Sequence, residues 1–152
     1  MLEIARKKLG KKKLSIDIRF EKGDSENIQY PDNTFNAVMV AFGVRNFENL
    51  NKGLKEINRV LSVGGKFVIL EFSRPHNLIF KTLYHFYFFK IVPFFGRFFS
   101  KDKRAYNYLP ESVDSFPDGD RFLDLMSQAG FTNLKHKKLT FGIATLYCGL
   151  KG

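Results

Sequence analysis

Two largely apolar runs with an amphipathic period between them limit this chain more than any other feature. Ala37 to Phe42 (AVMVAF) and Lys66 to Phe72 (KFVILEF) lack the polar alternation of a strand with one wet face. Both suit strands buried on two faces. Between them Leu50, Leu54, Ile57 and Leu61 recur at helical spacing, and Gly64-Gly65 marks a stop. Strand, amphipathic helix and second buried strand imply parallel pairing in an α/β sheet.

The flanks extend this unit. Met1 to Leu9 reads as a helix ended by Gly10. Ser15 to Glu21 alternates, with Ile16, Ile18 and Phe20 against Asp17 and Arg19, which predicts a half-buried strand. Gly23 to Asn36 is loop, with turn chemistry at Pro31-Asp32-Asn33-Thr34. Farther on, Asp118 or Asp120 can cap a helix carrying Phe122, Leu125, Met126 and Ala129, with Gly130 just past its end. Strands at about Thr132 to Leu139 and Phe141 to Leu150 are joined by too little chain for anything but an antiparallel hairpin.

Composition removes several classes of protein. With 18 Phe and 6 Tyr among 152 residues, a disordered chain is excluded and one globular domain is expected. The lone Cys148 excludes a disulfide framework and a cysteine zinc site, and it fits a reducing compartment. His76, His85 and His136 are too scattered for a metal site and unconvincing as bases. The formal charge of +10 is concentrated in residues 1–13 and 76–104. Separate basic blocks speak against a nucleic-acid partner, which would want one continuous face. The opening MLEIARKKLGKKK has basic residues where a signal sequence would be apolar. Residues 76–108 form an aromatic, basic insertion. Within it, Leu78 to Phe99 is interrupted by Lys81, His85, Lys90, Pro93 and Arg97, so it should not span a bilayer, although it could lie on one.

In open α/β sheets ligands sit at the carboxyl ends of strands. Three such ends carry polar groups here: Gly23-Asp24-Ser25-Glu26-Asn27, Phe42-Gly43-Val44-Arg45-Asn46 and Glu71-Phe72-Ser73-Arg74-Pro75. Asp24 and the Ser25 backbone N–H could meet an amino group and a ring nitrogen, or they could simply close an Asx turn. Arg45-Asn46 could hold an oxyanion, or Asn46 could cap the next helix. Glu71 could be an acid with a shifted pKa or the partner of a cation such as Arg74. No two of the 12 glycines stand as G-x-G, so no glycine-rich phosphate loop is present.

The stretch GDSENIQYPDNTFNAVMVAFGVRNFENLNKGLKEINRVLSVGGKFVILEFSRP resembles the ubiquinone/menaquinone biosynthesis C-methyltransferases of the UbiE or MenG type. Tyr106-x-Tyr108-Leu109-x-Glu111-Ser112, Phe116-Pro117, Gln128-Ala129-Gly130-Phe131 and Leu139-Thr140-x-Gly142-Ile143-Ala144 agree as well. Departures are Ser62-Val63 in place of Lys-Pro, Ala41 where some members have Ser, and Tyr147 in place of a frequent His. The resemblance implies a Rossmann-like class I S-adenosylmethionine-dependent methyltransferase fold with an antiparallel carboxyl-terminal hairpin. The implied reaction methylates a ring carbon of a polyprenylated quinol precursor, demethylmenaquinol to menaquinol or the ubiquinone equivalent.

By position, Asp24 and Ser25 match the family's adenine contacts, and Ala41 and Phe42 match the wall near the cofactor. Arg45 and Asn46 fall where the substrate ring lies. A metal is not required. The insertion then covers the substrate site or meets the membrane through 78–99, in a cytoplasmic enzyme at the inner face of the cell membrane. Homo-oligomers are compatible with this picture. The first two strands and the glycine-rich loop of the family pattern are not found in this sequence. Impaired activity of residues 1–152 alone is therefore expected, and a non-catalytic membrane-surface or assembly module is the alternative. The family strand order 3-2-1-4-5-7-6 predicts a bared edge on Val38 to Phe42. It also predicts that Ser15–Glu21 either pairs with Ala37–Phe42 or packs poorly.

Overall fold

A β-α-β unit followed by a helix and a hairpin makes one four-stranded sheet. The computed structural model describes Glu3, residues 18–75 and residues 111–152. The rest of the expected amino-terminal helix and the insertion at 76–108, with its membrane candidate at 78–99, lie outside the described residues. The elements are β1 (Phe35–Ala41), a 3-10 turn (Val44–Asn46), α1 (Leu50–Val60), β2 (Leu61–Phe72), α2 (Asp120–Gln128), β3 (Phe131–Leu139) and β4 (Ala144–Lys151). The sheet order is β1-β2-β4-β3. As the two apolar runs require, β1 and β2 are parallel, with Val38 opposite Phe67 and Val40 opposite Ile69. β4 is antiparallel to both β2 and β3, which confirms the hairpin.

The double glycine acts inside a strand rather than at a helix end. α1 stops at Val60 because Leu61 is already extended (φ −72°, ψ 142°). Pairing then jumps from Phe35–Leu61 to Ala37–Lys66. Gly64 takes a φ of +73°, and a Cβ on Gly65 would lie 2.7 Å from the Ser62 carbonyl oxygen. Any side chain there would strain the bulge.

One face of the sheet is closed. Phe67, Ile69 and Tyr147 have no exposure, nor do Leu54 of α1 and Phe122 and Met126 of α2, which belong to the same core. Each large side chain so buried contributes about 1.5–3 kcal/mol. Phe67 stacks on Phe131 at 5.1 Å, and Phe122 meets Tyr147 edge-on at 4.8 Å. β1 departs from the expectation of burial on two faces. Its Met39 is 78% exposed, and Ala37 and Ala41 on the same side are exposed too. Among the described residues β1 lies at the edge of the sheet, in line with the bared-edge expectation.

Other local expectations are corrected. Residues 18–21, the described part of the expected strand at Ser15–Glu21, are not in a strand, and Ile18 stays 37% exposed. Alternation supplies a face to bury, but only a ladder makes a strand. α2 is capped by neither Asp118 nor Asp120. Its N-cap is Gly119 (φ 63°), whose N–H donates to the Tyr147 hydroxyl at 2.8 Å. Asp118 instead accepts from the Arg74 backbone N–H at 3.0 Å and from the Arg74 guanidinium at 3.3 Å.

Candidate functional site

The carboxyl ends of β1 and β2 meet over a buried ion pair. Glu71, the last inward residue of β2, has no exposure, although it lies in an apolar run. Such a carboxylate needs a cation and hydrogen bonds to be tolerated. Its partner is Arg45, not Arg74: Arg45 Nη1 donates to Glu71 Oε1 at 2.7 Å. The backbone N–H of Arg45 donates to Oε2 at 3.3 Å, and that of Phe72 donates to Oε1 at 3.0 Å.

Three further groups fix the guanidinium. Its Nη1 also donates to the Phe42 carbonyl at 2.7 Å, and its Nε donates to Ser112 Oγ at 3.3 Å. Its carbon lies 5.4 Å from the centroid of the Phe72 ring, close enough for a cation–π contribution. Phe42, packed on Phe72 at 4.5 Å, has a φ of +55°. That left-handed backbone costs about 1–2 kcal/mol in a residue other than glycine. It turns the chain off β1 directly into the Val44–Asn46 turn. Arg45 thus ties together the tip of β1, the tip of β2 and the helical residues 111–115.

Beside it lies a cavity of about 170 Å³ lined by Val44, Arg45, Phe47, Leu50, Ser112, Ser115, Phe116 and Pro117. Phe47 enters this wall by lying on Gly53 of α1, where a Cβ would be only 2.3 Å from the ring. A side chain at 53 would push the ring out. Just past β2, Ser73 Oγ donates to the Gly142 carbonyl at 2.9 Å and shares a hydrogen bond with Thr145 at 2.7 Å, which locks the start of the outgoing chain.

The other flank is shallower. Asp24 is exposed, and its Oδ1 accepts the Glu26 N–H at 2.9 Å, the Asx turn that residue type allows. Ser25 is half-buried. Glu26 reaches across to accept the Asn49 N–H at 2.8 Å, so the 24–27 and 45–49 loops lie on the same side of the molecule. A cavity of about 560 Å³ between Glu26, Asn27 and α1 is lined by Asn49, Asn51, Lys52, Lys55 and Glu56 as well. Neither of these cavities has both Asp24 and Arg45 in its wall. Ala41 and Phe42 are exposed at the tip of β1, and Asn46 is exposed at the end of its turn. Asn46 is not the cap of α1. Asn49 is, its Oδ1 accepting from the Lys52 N–H at 3.0 Å.

Arg59 on α1 anchors the loop behind this flank. Every N–H of its guanidinium is used, on Glu56, Asp32 and the carbonyls of Ile28 and Tyr30. The Arg59 hydrogen bond holds the Glu56 carboxyl below its ordinary range, helped by the Ile28 N–H.

A mixed sheet with a parallel β-α-β unit, an antiparallel hairpin and polar groups over the strand tips is the Rossmann-like class I S-adenosylmethionine-dependent methyltransferase fold. A solved S-adenosylmethionine-dependent methyltransferase from Thermotoga maritima superposes on all of this chain and 69% of its own length, with a TM-score of 0.66 at 19% identity. The chain belongs to the ubiE/COQ5 methyltransferase family, whose pattern matches residues 1–151. It is 45% identical to the ubiquinone/menaquinone biosynthesis C-methyltransferase UbiE of Geotalea daltonii over 99% of this chain and 64% of that one. Against the demethylmenaquinone methyltransferase of Bacteroides fragilis it is 42% identical, over 99% and 62%. The chain therefore spans a little under two thirds of the length of these relatives.

The residues that sequence reasoning missed are the partners rather than the tips. The Arg45–Glu71 pairing, Ser112 as a third member and the slot between Phe47, Leu50 and Phe116 each join distant segments. The available signal was a carboxylate at the end of an apolar strand. It demanded a cation without choosing between Arg45 and Arg74.

Proposed function

We propose that this chain supplies the adenine-side and substrate-side walls of an S-adenosylmethionine-dependent C-methyltransferase acting on a polyprenylated quinol precursor. The reaction is conversion of demethylmenaquinol to menaquinol, or its ubiquinone equivalent. The observation that carries this reading is Arg45, a guanidinium fixed by Glu71, Phe42 and Ser112 beside a ring-sized slot at the strand tips. The family and the names of these relatives agree with it.

The described residues fit the adenine end of the cofactor. Asp24 is exposed with one carboxylate oxygen committed to its own turn, which leaves the other to accept from an amino group. Ser25 offers a backbone N–H, and Ala41 and Phe42 present an exposed apolar wall. When bound, the cofactor supplies an electrophilic methyl group. The protein's own work is alignment, exclusion of water and charge control. Arg45 donates to the ring hydroxyl next to the accepting carbon and stabilises negative charge developing on its oxygen. Asn46, at the exposed end of the same turn, falls where the substrate ring is expected. The basic, aromatic residues 78–99 would meet the bilayer in which such a substrate lives. No helix among the described residues is long and apolar enough to cross a membrane.

The test is methyl transfer from labelled S-adenosylmethionine to a demethylmenaquinol, with Arg45→Ala as control. Product formation lost in the variant supports the reading, and product formation indifferent to Arg45 refutes the role assigned to it. Cofactor affinity of residues 1–152 is expected to be weaker than micromolar, because this sequence contains no glycine-rich loop for the methionine and ribose end. Isothermal titration decides that point. Vesicle binding without any methyl transfer would favour the assembly-module alternative.

A further inference from the structure

We propose that Glu71 makes this site select neutral hydroxyaromatic rings over carboxylated ones. The inference rests on the reading of the strand tips given above and deepens it by assigning the charge of the substrate. An unpaired guanidinium prefers an anion, above all a carboxylate met in bidentate fashion. Arg45 is paired. Its Nη1 lies 2.7 Å from the carboxylate of a side chain with no exposure, and its Nε is turned to Ser112. Its charge is matched inside the protein, while its Nη2 end carries the remaining donors.

A paired cation of this kind serves a ring hydroxyl, which brings no net charge on binding and gains only partial negative charge in the transition state, where the donated hydrogen bond meets it. A carboxylate at the same point would feel Glu71 as well as Arg45, against walls that screen weakly. The adjoining cavity has the matching character. It holds about 170 Å³ and is lined by Phe47, Leu50, Phe116 and Pro117 together with Arg45 and Ser112. The apolar walls receive the ring, and the paired guanidinium reads its oxygen. Glu71 touches no substrate in this scheme. It sets the charge and aim of the residue that does.

Three probes of one shape separate the cases: 2-naphthol, 2-naphthoate and 2-naphthamidine, titrated by NMR into the full 152-residue chain at physiological salt. The wild type should bind the neutral probe about tenfold more tightly than either ion, with anion and cation within about threefold of each other. In E71Q the naphthoate should gain about tenfold while the naphthol changes little. E71D should keep the wild-type order. Naphthoate as the strongest wild-type ligand, no binding of any probe, or a folded E71Q without the gain would each overturn the proposal. Should E71Q fail to fold, the wild-type series decides alone, since an unmatched Arg45 would separate anion from cation. Methyl transfer is read independently. Selectivity without transfer sinks the reaction and keeps this inference, and transfer with naphthoate bound best does the reverse.

Discussion

The two flanks of the strand tips are built differently. On the side of Arg45, the turn after β1, the tip of β2 and Ser112 converge on a buried ion pair, and three of its five hydrogen bonds join segments distant in sequence. On the side of Asp24 the restraints lie nearer the surface: an exposed Asx turn within the loop, one exposed Glu26–Asn49 bond, and the half-buried Arg59 anchor farther back. Buried bracing yields a rigid, preorganised donor, as transition-state stabilisation requires. Bracing by exposed bonds yields a lip that can adjust to a ligand. The difference matches the division of labour proposed above, in which one flank does chemistry and the other only holds.

The contrast is broken most directly at Glu71. Glu71→Ala leaves Arg45 without its counter-charge and two backbone N–H groups without an acceptor, so urea unfolding should show a loss of about 3–5 kcal/mol. A loss below about 1 kcal/mol would mean that the two flanks are equally loose. Asn49 stands between them and should be intermediate. Asn49→Ala removes the cap of α1 but keeps the backbone N–H that Glu26 accepts, and it should cost about 1 kcal/mol in the same measurement.

The third prediction uses pH to sharpen the comparison. Arg59 holds the folded-state pKa of Glu56 below its usual 4.5. The unfolded chain therefore takes up this proton first as acid is added. The stability from Glu56 is fully present above about pH 4.5 and is lost as pH falls through the lowered folded value. Glu56→Gln should flatten that part of the stability–pH curve and speed amide exchange at residues 28–30 and 32, with little change near Arg45. An unchanged acid limb would show that the Arg59 anchor contributes nothing.

How much was legible in the sequence follows another division, between local patterns and contacts distant along the chain. The parallel unit, the hairpin and Gly130 past α2 were readable, because periodicity and glycine placement act over a few residues. The Asx turn at Asp24 was readable for that reason too. Asn46 and Asn49 are both plausible caps three residues apart, and only the 3-10 turn at Val44–Asn46, which delays the helix, decides for Asn49. The choice of Arg45 over Arg74 by Glu71 depends on the turn after β1 folding back over the tip of β2, which no local pattern encodes. Gly119 as a cap needed Tyr147, which lies 28 residues away. The strand expected at Ser15–Glu21 failed over its described part because alternation says nothing about whether a neighbouring edge is on offer.

The smallest expected effect is at Asp24, and it separates holding from folding. Its side chain is exposed and serves one hydrogen bond inside its own turn. Water can replace that bond, so Asp24→Ala should change unfolding stability by no more than about 0.5 kcal/mol. If Asp24 also accepts from the adenine amino group, whatever affinity the chain has for S-adenosylmethionine should fall further than its stability does. Asp24→Asn should behave likewise, because the amide oxygen can keep the turn while the negative charge is lost. Equal, small changes in both measurements would reduce Asp24 to a turn residue and move the adenine contact elsewhere on the lip. A stability loss as large as that of Glu71→Ala would dissolve the contrast between the flanks altogether.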